Sequence, residues 1–351
     1  MEPKFLSTAI GSMPFKNPDY AVGISLKNLD APIWPQLPKL SLLEQMEIQY
    51  SENLPCAVVD NEKSRMFINT SEDYSEAFAE FYEQYMTVEE TGGDLDFMAI
   101  SDTYSKGIHA LLKTLTAEGK KRPFLKVQTT GPCSFALTIV DENKRAIYYN
   151  EEFRDVIVKA LALKCRWQLQ AFKPYADSLI CFIDEPILSA FGSSTYVSVK
   201  REDVVAILGE VIEAVHAENA LAGIHCCGNT EWSVLIDAGV DIVNFDAFEY
   251  GETIAMYADS VKALLERGGM LAWGVVPTSA AIREQTAETL EARLETVMDN
   301  LASKGVSKDL IVRQAIITPS CGTGSLDEGD AEKVFSLLSA LSKRMKEKYG
   351  F

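Results

Sequence analysis

The chain has 351 residues, of which 47% are hydrophobic and 24% are charged, as in ordinary soluble globular proteins. The formal net charge of −18 argues against nucleic acid and anionic membranes as partners. No apolar run approaches the roughly 20 residues that span a bilayer, and the first residues contain no signal-peptide core. We therefore expect a cytoplasmic protein whose seven cysteines are free thiols or metal ligands.

Short apolar runs alternate with longer amphipathic segments along the whole chain. This alternation predicts right-handed βαβ units and a parallel sheet. Eight such runs predict a single closed (β/α)₈ barrel, the TIM barrel, over residues 1–351, with a doubly wound open sheet as the alternative. The predicted strands are residues 5–11, 97–101, 124–130, 178–184, 221–227, 240–246, 270–276 and 314–320. The clearest predicted helices are residues 72–90, 151–172, 201–218, 286–304 and 328–349.

One region does not follow the alternation. Residues 13–40 contain five prolines, which interrupt both helices and sheet ladders. We predict an irregular, extended loop here, packed over the barrel.

Polar or chemically reactive residues follow most of the predicted strands. Among them are Ser12, Asp184, Asp246 and Cys321. In a barrel of parallel strands, the carboxyl ends meet on one face, which is where active sites are built. The sequence therefore predicts an enzyme whose site lies on this face, although strand ends also collect ordinary turn residues.

The most informative segment is residues 223–230, Gly-Ile-His-Cys-Cys-Gly-Asn-Thr. On a strand, His225 and Cys227 point to the same face, whereas Cys226 points to the opposite face and is predicted to be structural. Cys321, at the end of a distant apolar run, offers a third ligand. Two thiolates and one imidazole form a zinc-type ligand set with an open position for substrate. The alternative is a core histidine among ordinary buried cysteines.

Five short motifs occur in an order that resembles a known superfamily over nearly the whole chain. This superfamily joins cobalamin-independent methionine synthase, uroporphyrinogen decarboxylase and the zinc methyltransferases that act on methylated corrinoids. The motifs are Ile10-Gly11-Ser12, Thr130-Gly131-Pro132, Ile183-Asp184-Glu185-Pro186, His225-x-Cys227 and Pro319-Ser320-Cys321-Gly322.

The resemblance implies roles for particular residues. Methionine synthases supply a carboxylate as a fourth zinc ligand on the strand after the His-x-Cys strand. Asp246 stands at that place, and Glu249 is an alternative. Ser12 and Asp184 resemble the residues that hold the amino-acid part of homocysteine. This agrees with physical chemistry, since a carboxylate pairs with an α-ammonium and a hydroxyl can hold an α-carboxylate.

Two departures from the classical methionine synthase bear on the methyl donor. That enzyme carries a histidine just past the seventh strand, but residues 273–279 here read Trp-Gly-Val-Val-Pro-Thr-Ser. The sequence also lacks a counterpart of the N-terminal half that helps to hold folate. Both departures favour a methyl-corrinoid as donor, presented by a corrinoid protein that docks over the barrel face against residues 13–40. Uroporphyrinogen decarboxylase is disfavoured, because the sequence has no arginine before Arg65.

These features together predict a zinc-dependent methyltransferase that moves a methyl group to a small-molecule thiol, with homocysteine, giving methionine, as the favoured acceptor. The alternatives are a folate-dependent methionine synthase, a coenzyme M-type thiol methyltransferase, a zinc hydrolase and a non-enzymatic corrinoid carrier. A thiolate-rich site favours thiol chemistry over hydrolysis, for which histidine and carboxylate ligands are more usual.

Overall fold

The structure is a computed structural model that describes residues 2–351. Seven parallel strands form one curled sheet in the order β1-β9-β8-β7-β6-β5-β4, and β2 and β3 form a separate antiparallel pair. The strands are β1 (Leu6–Ser7), β2 (Ala57–Asp60), β3 (Arg65–Ile68), β4 (Arg122–Thr130), β5 (Ala176–Asp184), β6 (Leu221–Cys226), β7 (Ile242–Phe245), β8 (Met270–Val276) and β9 (Ala315–Pro319).

The helices pack against the outer face of this sheet. Two hydrophobic clusters result: a large one between sheet and helices, and a small one inside the curl that includes Phe182, Ile242 and Met270. Among residues 2–351, no helix is both long and apolar enough to cross a membrane. The helices are α1 (Pro18–Asn28), α2 (Met46–Gln49), α3 (Ser75–Thr91), α4 (Lys106–Glu118), α5 (Pro132–Thr138), α6 (Glu151–Phe172), α7 (Arg201–Ala217), α8 (Trp232–Asp237), α9 (Ala258–Glu266), α10 (Ala287–Ser303), α11 (Lys308–Arg313) and α12 (Glu328–Tyr349).

Local signals explain why the longest helices begin and end where the sequence predicted. The Asn150 side chain accepts the Phe153 N–H at the start of α6, where it caps an otherwise unpaired donor. Helix α12 ends at Gly350, which adopts the left-handed conformation with φ 74°. Both helices have the predicted bounds, 151–172 and 328–349.

Seven of the eight predicted strands are present, but the prediction for residues 97–101 is wrong. A 3₁₀ turn covers Asp96–Met98, and the following backbone groups bond to side chains instead of a neighbouring strand. The Ser101 N–H donates to Glu52, and the Ile100 carbonyl is hydrogen-bonded to His109. The segment is apolar because Met98 and Ile100 are buried under the helices.

The sheet is curled but is not a closed barrel of eight regular strands, as the sequence had predicted. Residues 31–36 belong to the predicted irregular loop. They lie between β1 and β4, the two edge strands of the sheet. Their backbone bonds to the β1 side through Ala31 N–H to Ser7 and Gln36 N–H to Gly11, and to β4 through Lys126 N–H to Pro32. The region 13–40 therefore contains a helix, α1, and a segment that links the sheet edges.

Candidate metal centre

The alternation of side chains on β6 directs its two reactive residues to opposite faces. Gly223 faces the inside of the curl, where a Cβ would lie 2.4 Å from the Phe182 ring, and His225 follows on the same face. Cys226 lies in the large cluster between sheet and helices and is fully buried. The opposite faces predicted for His225 and Cys226 are the ones observed.

His225, Cys227 and Cys321 converge at the carboxyl end of the sheet. One ring nitrogen of His225 and the two Sγ atoms all lie within 4.8 Å of one another. This spacing suits one small ion, since the ligand atoms around a tetrahedral zinc are roughly 3.5–4 Å apart. His225 is only 2% exposed, and its Nε2 atom has no hydrogen-bond partner. The three residues can therefore hold a metal ion.

The charges in this cluster favour a thiolate. Hydrogen bonds from the S–H of Cys321 and from the His225 ring lower the pKa of Cys227 well below that of a free thiol. The negative charge on Cys227, together with burial, raises the pKa of Cys321 in turn. Burial opposes protonation of His225, but the nearby Cys227 and Asp184 outweigh it and raise the pKa of the ring. These shifts favour a thiolate at Cys227 over one at Cys321.

Ser12 holds the loop that carries Cys321. Its backbone carbonyl accepts the Thr323 N–H at 2.8 Å and the Thr323 hydroxyl at 2.9 Å. Its hydroxyl accepts the Gly324 N–H at 3.3 Å. A Cβ at Gly322 would lie 2.1 Å from Ser12 Oγ, so a larger residue at this position would displace the Ser12 hydroxyl. Ser12 therefore lies beside the metal cluster, as its position after β1 predicted.

Asp184, at the end of β5, is paired in the sheet with His225. Its side chain is 8% exposed, and its Oδ1 atom has no hydrogen-bond partner. Burial raises the pKa of the carboxyl to about 6, although the charges of His225 and Lys126 oppose the shift. A buried carboxylate oxygen without a donor is costly, so this atom is suited to a cationic group of a ligand.

The neighbouring Glu185 serves the fold. Its carboxylate accepts the N–H groups of Cys133 and Ser134 and the Ser134 hydroxyl at the start of α5. A Cβ at Gly131 would lie 2.1 Å from this carboxyl group. Burial raises the pKa of Glu185 to about 7, and the hydrogen bonds from α5 lower it again in part. The glycine of the Thr-Gly-Pro motif is thus needed to admit Glu185.

Asp246 and Glu249 are not among the three residues whose ligand atoms converge. Asp246 Oδ1 accepts the Glu249 N–H at 2.8 Å, which is the bonding expected of a turn residue. Burial, and to a lesser degree the charges of Glu249 and Cys227, raise the pKa of Asp246 to about 6. Glu249 is exposed and lines a surface cavity of about 480 Å³ against α10.

Sequence reasoning missed four polar residues inside the curl: Lys126, Gln128, Asn244 and Thr318. Lys126 Nζ donates to the Ile10 carbonyl at 2.6 Å and lies 4.6 Å from the centre of the Phe182 ring. Asn244 bonds to the ring of His225. A signal was present for Asn244 and Thr318, since each is a polar residue at an inward position of an otherwise apolar strand.

Two of the solved structures to which this chain is similar are a methyltransferase and a methionine synthase. A methyltransferase from Methanosarcina mazei matches with a TM-score of 0.58 over 99% of this chain and 94% of its own, at 13% identity. A B12-independent methionine synthase from Shewanella sp. W3-18-1, in complex with selenomethionine, matches over 68% of this chain and 67% of its own, with a TM-score of 0.44 and 15% identity. The sequence matches no protein-family model and no curated protein. The first match extends over almost all of both chains and shows a common fold.

Proposed function

We propose that the protein is a zinc-dependent methyltransferase that moves a methyl group to a thiol, with homocysteine as acceptor and a methyl-corrinoid as donor. The observation that carries this proposal is the convergence of His225, Cys227 and Cys321 at the carboxyl end of the sheet. The motif resemblance and the methyltransferase from Methanosarcina mazei, which has the same fold, agree with it.

The donor set suits zinc. One imidazole nitrogen and two thiol sulfurs are soft ligands, and the buried Nε2 atom of His225 is free to bind. A bound zinc ion would lower the pKa of a coordinated substrate thiol while two thiolate ligands kept its sulfur nucleophilic. Asp246, buried and near enough to Cys227 to respond to its charge, is the candidate for a fourth ligand, with Glu249 as the alternative.

Asp184 and Ser12 would hold the head group of an amino-acid thiol. Asp184 Oδ1 has no partner and can accept a hydrogen bond from an α-ammonium group. Ser12 Oγ already accepts the Gly324 N–H, so its own hydrogen remains free for a substrate carboxylate. Asp184 ends β5 and Ser12 lies in the segment after β1, on the same face as the three candidate metal ligands.

The placement of the histidines supports a donor that needs no protonation. His109, on α4, is bonded to the Ile100 carbonyl, and His216, on α7, is bonded to Asp241 before the start of β7. His225 is the one histidine of the three that lies in the cluster with Cys227 and Cys321. Cleavage of a cobalt–methyl bond needs no general acid, whereas the N5 atom of methyltetrahydrofolate is a poor leaving group without one.

We expect zinc-loaded protein to form methionine from homocysteine and methylcobalamin, and to do so far faster than from methyltetrahydrofolate. The absence of a general acid typically lowers a rate by about 10²- to 10⁴-fold. We expect the rates with the two donors to differ by a factor of this size. Methionine formation is measured by chromatography with each donor at equal concentration. The Cys321→Ser variant controls for non-enzymatic transfer. Robust turnover with methyltetrahydrofolate and no corrinoid would overturn the choice of donor.

A further inference from the structure

Asn244 is a fully buried polar residue on β7 that bonds to three other strands at once. Its Oδ1 lies 2.5 Å from His225 Nδ1 on β6. Its Nδ2 donates to the Ala272 carbonyl on β8 at 2.8 Å and to Thr318 Oγ1 on β9 at 2.7 Å. One side chain thus links the strand that precedes Cys227 to the strand that precedes Cys321.

These bonds determine the direction of the Asn244 amide. A backbone carbonyl such as that of Ala272 can only accept a hydrogen bond, so the amide nitrogen must face it. The amide oxygen then faces His225 Nδ1, and this oxygen can also only accept. The Nδ1 atom of His225 must therefore carry a hydrogen. In the neutral ring, the lone pair lies on Nε2, the buried atom that has no partner.

We propose that Asn244 is a positioning residue: it holds His225 in the Nδ1–H tautomer and fixes the ring, so that Nε2 faces the two cysteine sulfurs before a metal binds. Metal-binding histidines usually donate their second ring nitrogen in this way, and such partners set the tautomer. The part of the proposal that concerns zinc rests on the proposed function, whereas the tautomer can be tested in the metal-free protein.

The first test is nitrogen-15 NMR of the imidazole rings in metal-free wild-type protein, at a pH where His225 is neutral. The chain has three histidines, so spectra of His109→Gln and His216→Gln assign the remaining signals to His225. We expect a protonated Nδ1 and an unprotonated Nε2. A protonated Nε2, or an even mixture of tautomers, would overturn the proposal.

The second test compares Asn244→Leu with Thr318→Val as a matched control. We expect Asn244→Leu to mix the two tautomers and to weaken zinc binding about 10- to 100-fold, measured by competition with a chelator. In Thr318→Val, Asn244 keeps its bond to the Ala272 carbonyl, so the tautomer of His225 should be unchanged. The zinc affinity of this variant should be within a few-fold of wild type.

The two tests examine the tautomer of His225 and the binding of zinc separately. A single Nδ1–H tautomer and wild-type zinc affinity in Asn244→Leu would contradict the proposal. If Asn244→Leu does not fold by circular dichroism, the wild-type spectrum still decides the tautomer. Wild-type protein that shows this tautomer but binds no zinc would support the role of Asn244 and contradict the proposed function.

Discussion

The Cys321→Ser variant is expected to lose tight zinc binding and to keep its fold. A serine hydroxyl is nearly the same size as a thiol but stays protonated at neutral pH, so it is a much poorer zinc ligand. Cys321 is in a loop held by Ser12, and no strand depends on its side chain. Removing a direct ligand should weaken zinc binding more than removing the hydrogen-bond partner of a ligand does. Loss of such a partner typically lowers the affinity roughly 10- to 100-fold. Zinc content after dialysis and circular dichroism measure the two effects.

Cys226→Ala is the matched control for this experiment. Cys226 is adjacent to Cys227 but lies among the side chains between sheet and helices, so its loss should leave the zinc content unchanged. Full zinc content in Cys321→Ser would remove that residue from the site. Loss of zinc in Cys226→Ala as complete as in Cys227→Ala would contradict the observed face of β6.

Asp184→Asn is expected to raise the KM for homocysteine steeply while zinc content stays unchanged. The substitution keeps the shape but removes the charge that would pair with the α-ammonium group. A hydrogen bond to a charged group is worth roughly 1.5–3 kcal/mol, which corresponds to about 10- to 150-fold in KM. Steady-state kinetics with methylcobalamin at saturation give the KM.

The thiol 4-mercaptobutanoate, which is homocysteine without its amino group, provides the control. Its KM should be nearly the same in wild type and Asp184→Asn, because it has no ammonium group for Asp184 to bind. Wild-type protein that used both thiols equally well would contradict the assignment of Asp184 to the head group.

Features that depend on local sequence could be predicted correctly. The bounds of α6 and α12 followed from their amphipathic patterns, and in the structure Asn150 caps the start of α6 and Gly350 ends α12. The opposite faces of His225 and Cys226 followed from the alternation of a strand, which holds wherever a strand forms. These predictions needed no knowledge of how distant segments pair.

The two errors in the predicted sheet arose where the apolar pattern of the sequence does not reflect the hydrogen-bonded pairing of the strands. Residues 97–100 are apolar because Met98 and Ile100 are buried, but His109 and Glu52 bond to the backbone groups of Ile100 and Ser101. Residues 31–36 link the sheet edges, but Pro32 and Pro35 lack the N–H groups of a regular ladder. Their pairing through isolated bridges could not be read from hydrophobic alternation.

The convergence of His225, Cys227 and Cys321 could be predicted because histidine and cysteine are rare in this chain, with three histidines and seven cysteines in total. The bonds of Asn244 to His225, Ala272 and Thr318 could not be predicted from its inward position alone, because asparagine is common and these partners come from three other strands. Ser12 was expected to bind substrate, and the structure adds its bonds to the loop that carries Cys321.

The zinc environment before and after addition of homocysteine tests the central proposal most directly. X-ray absorption at the zinc edge counts the sulfur ligands of zinc-loaded protein without any methyl donor. We predict two sulfur ligands, from Cys227 and Cys321, in the resting protein and three after homocysteine is added. A zinc environment that stayed unchanged at saturating homocysteine would contradict thiol activation at this site.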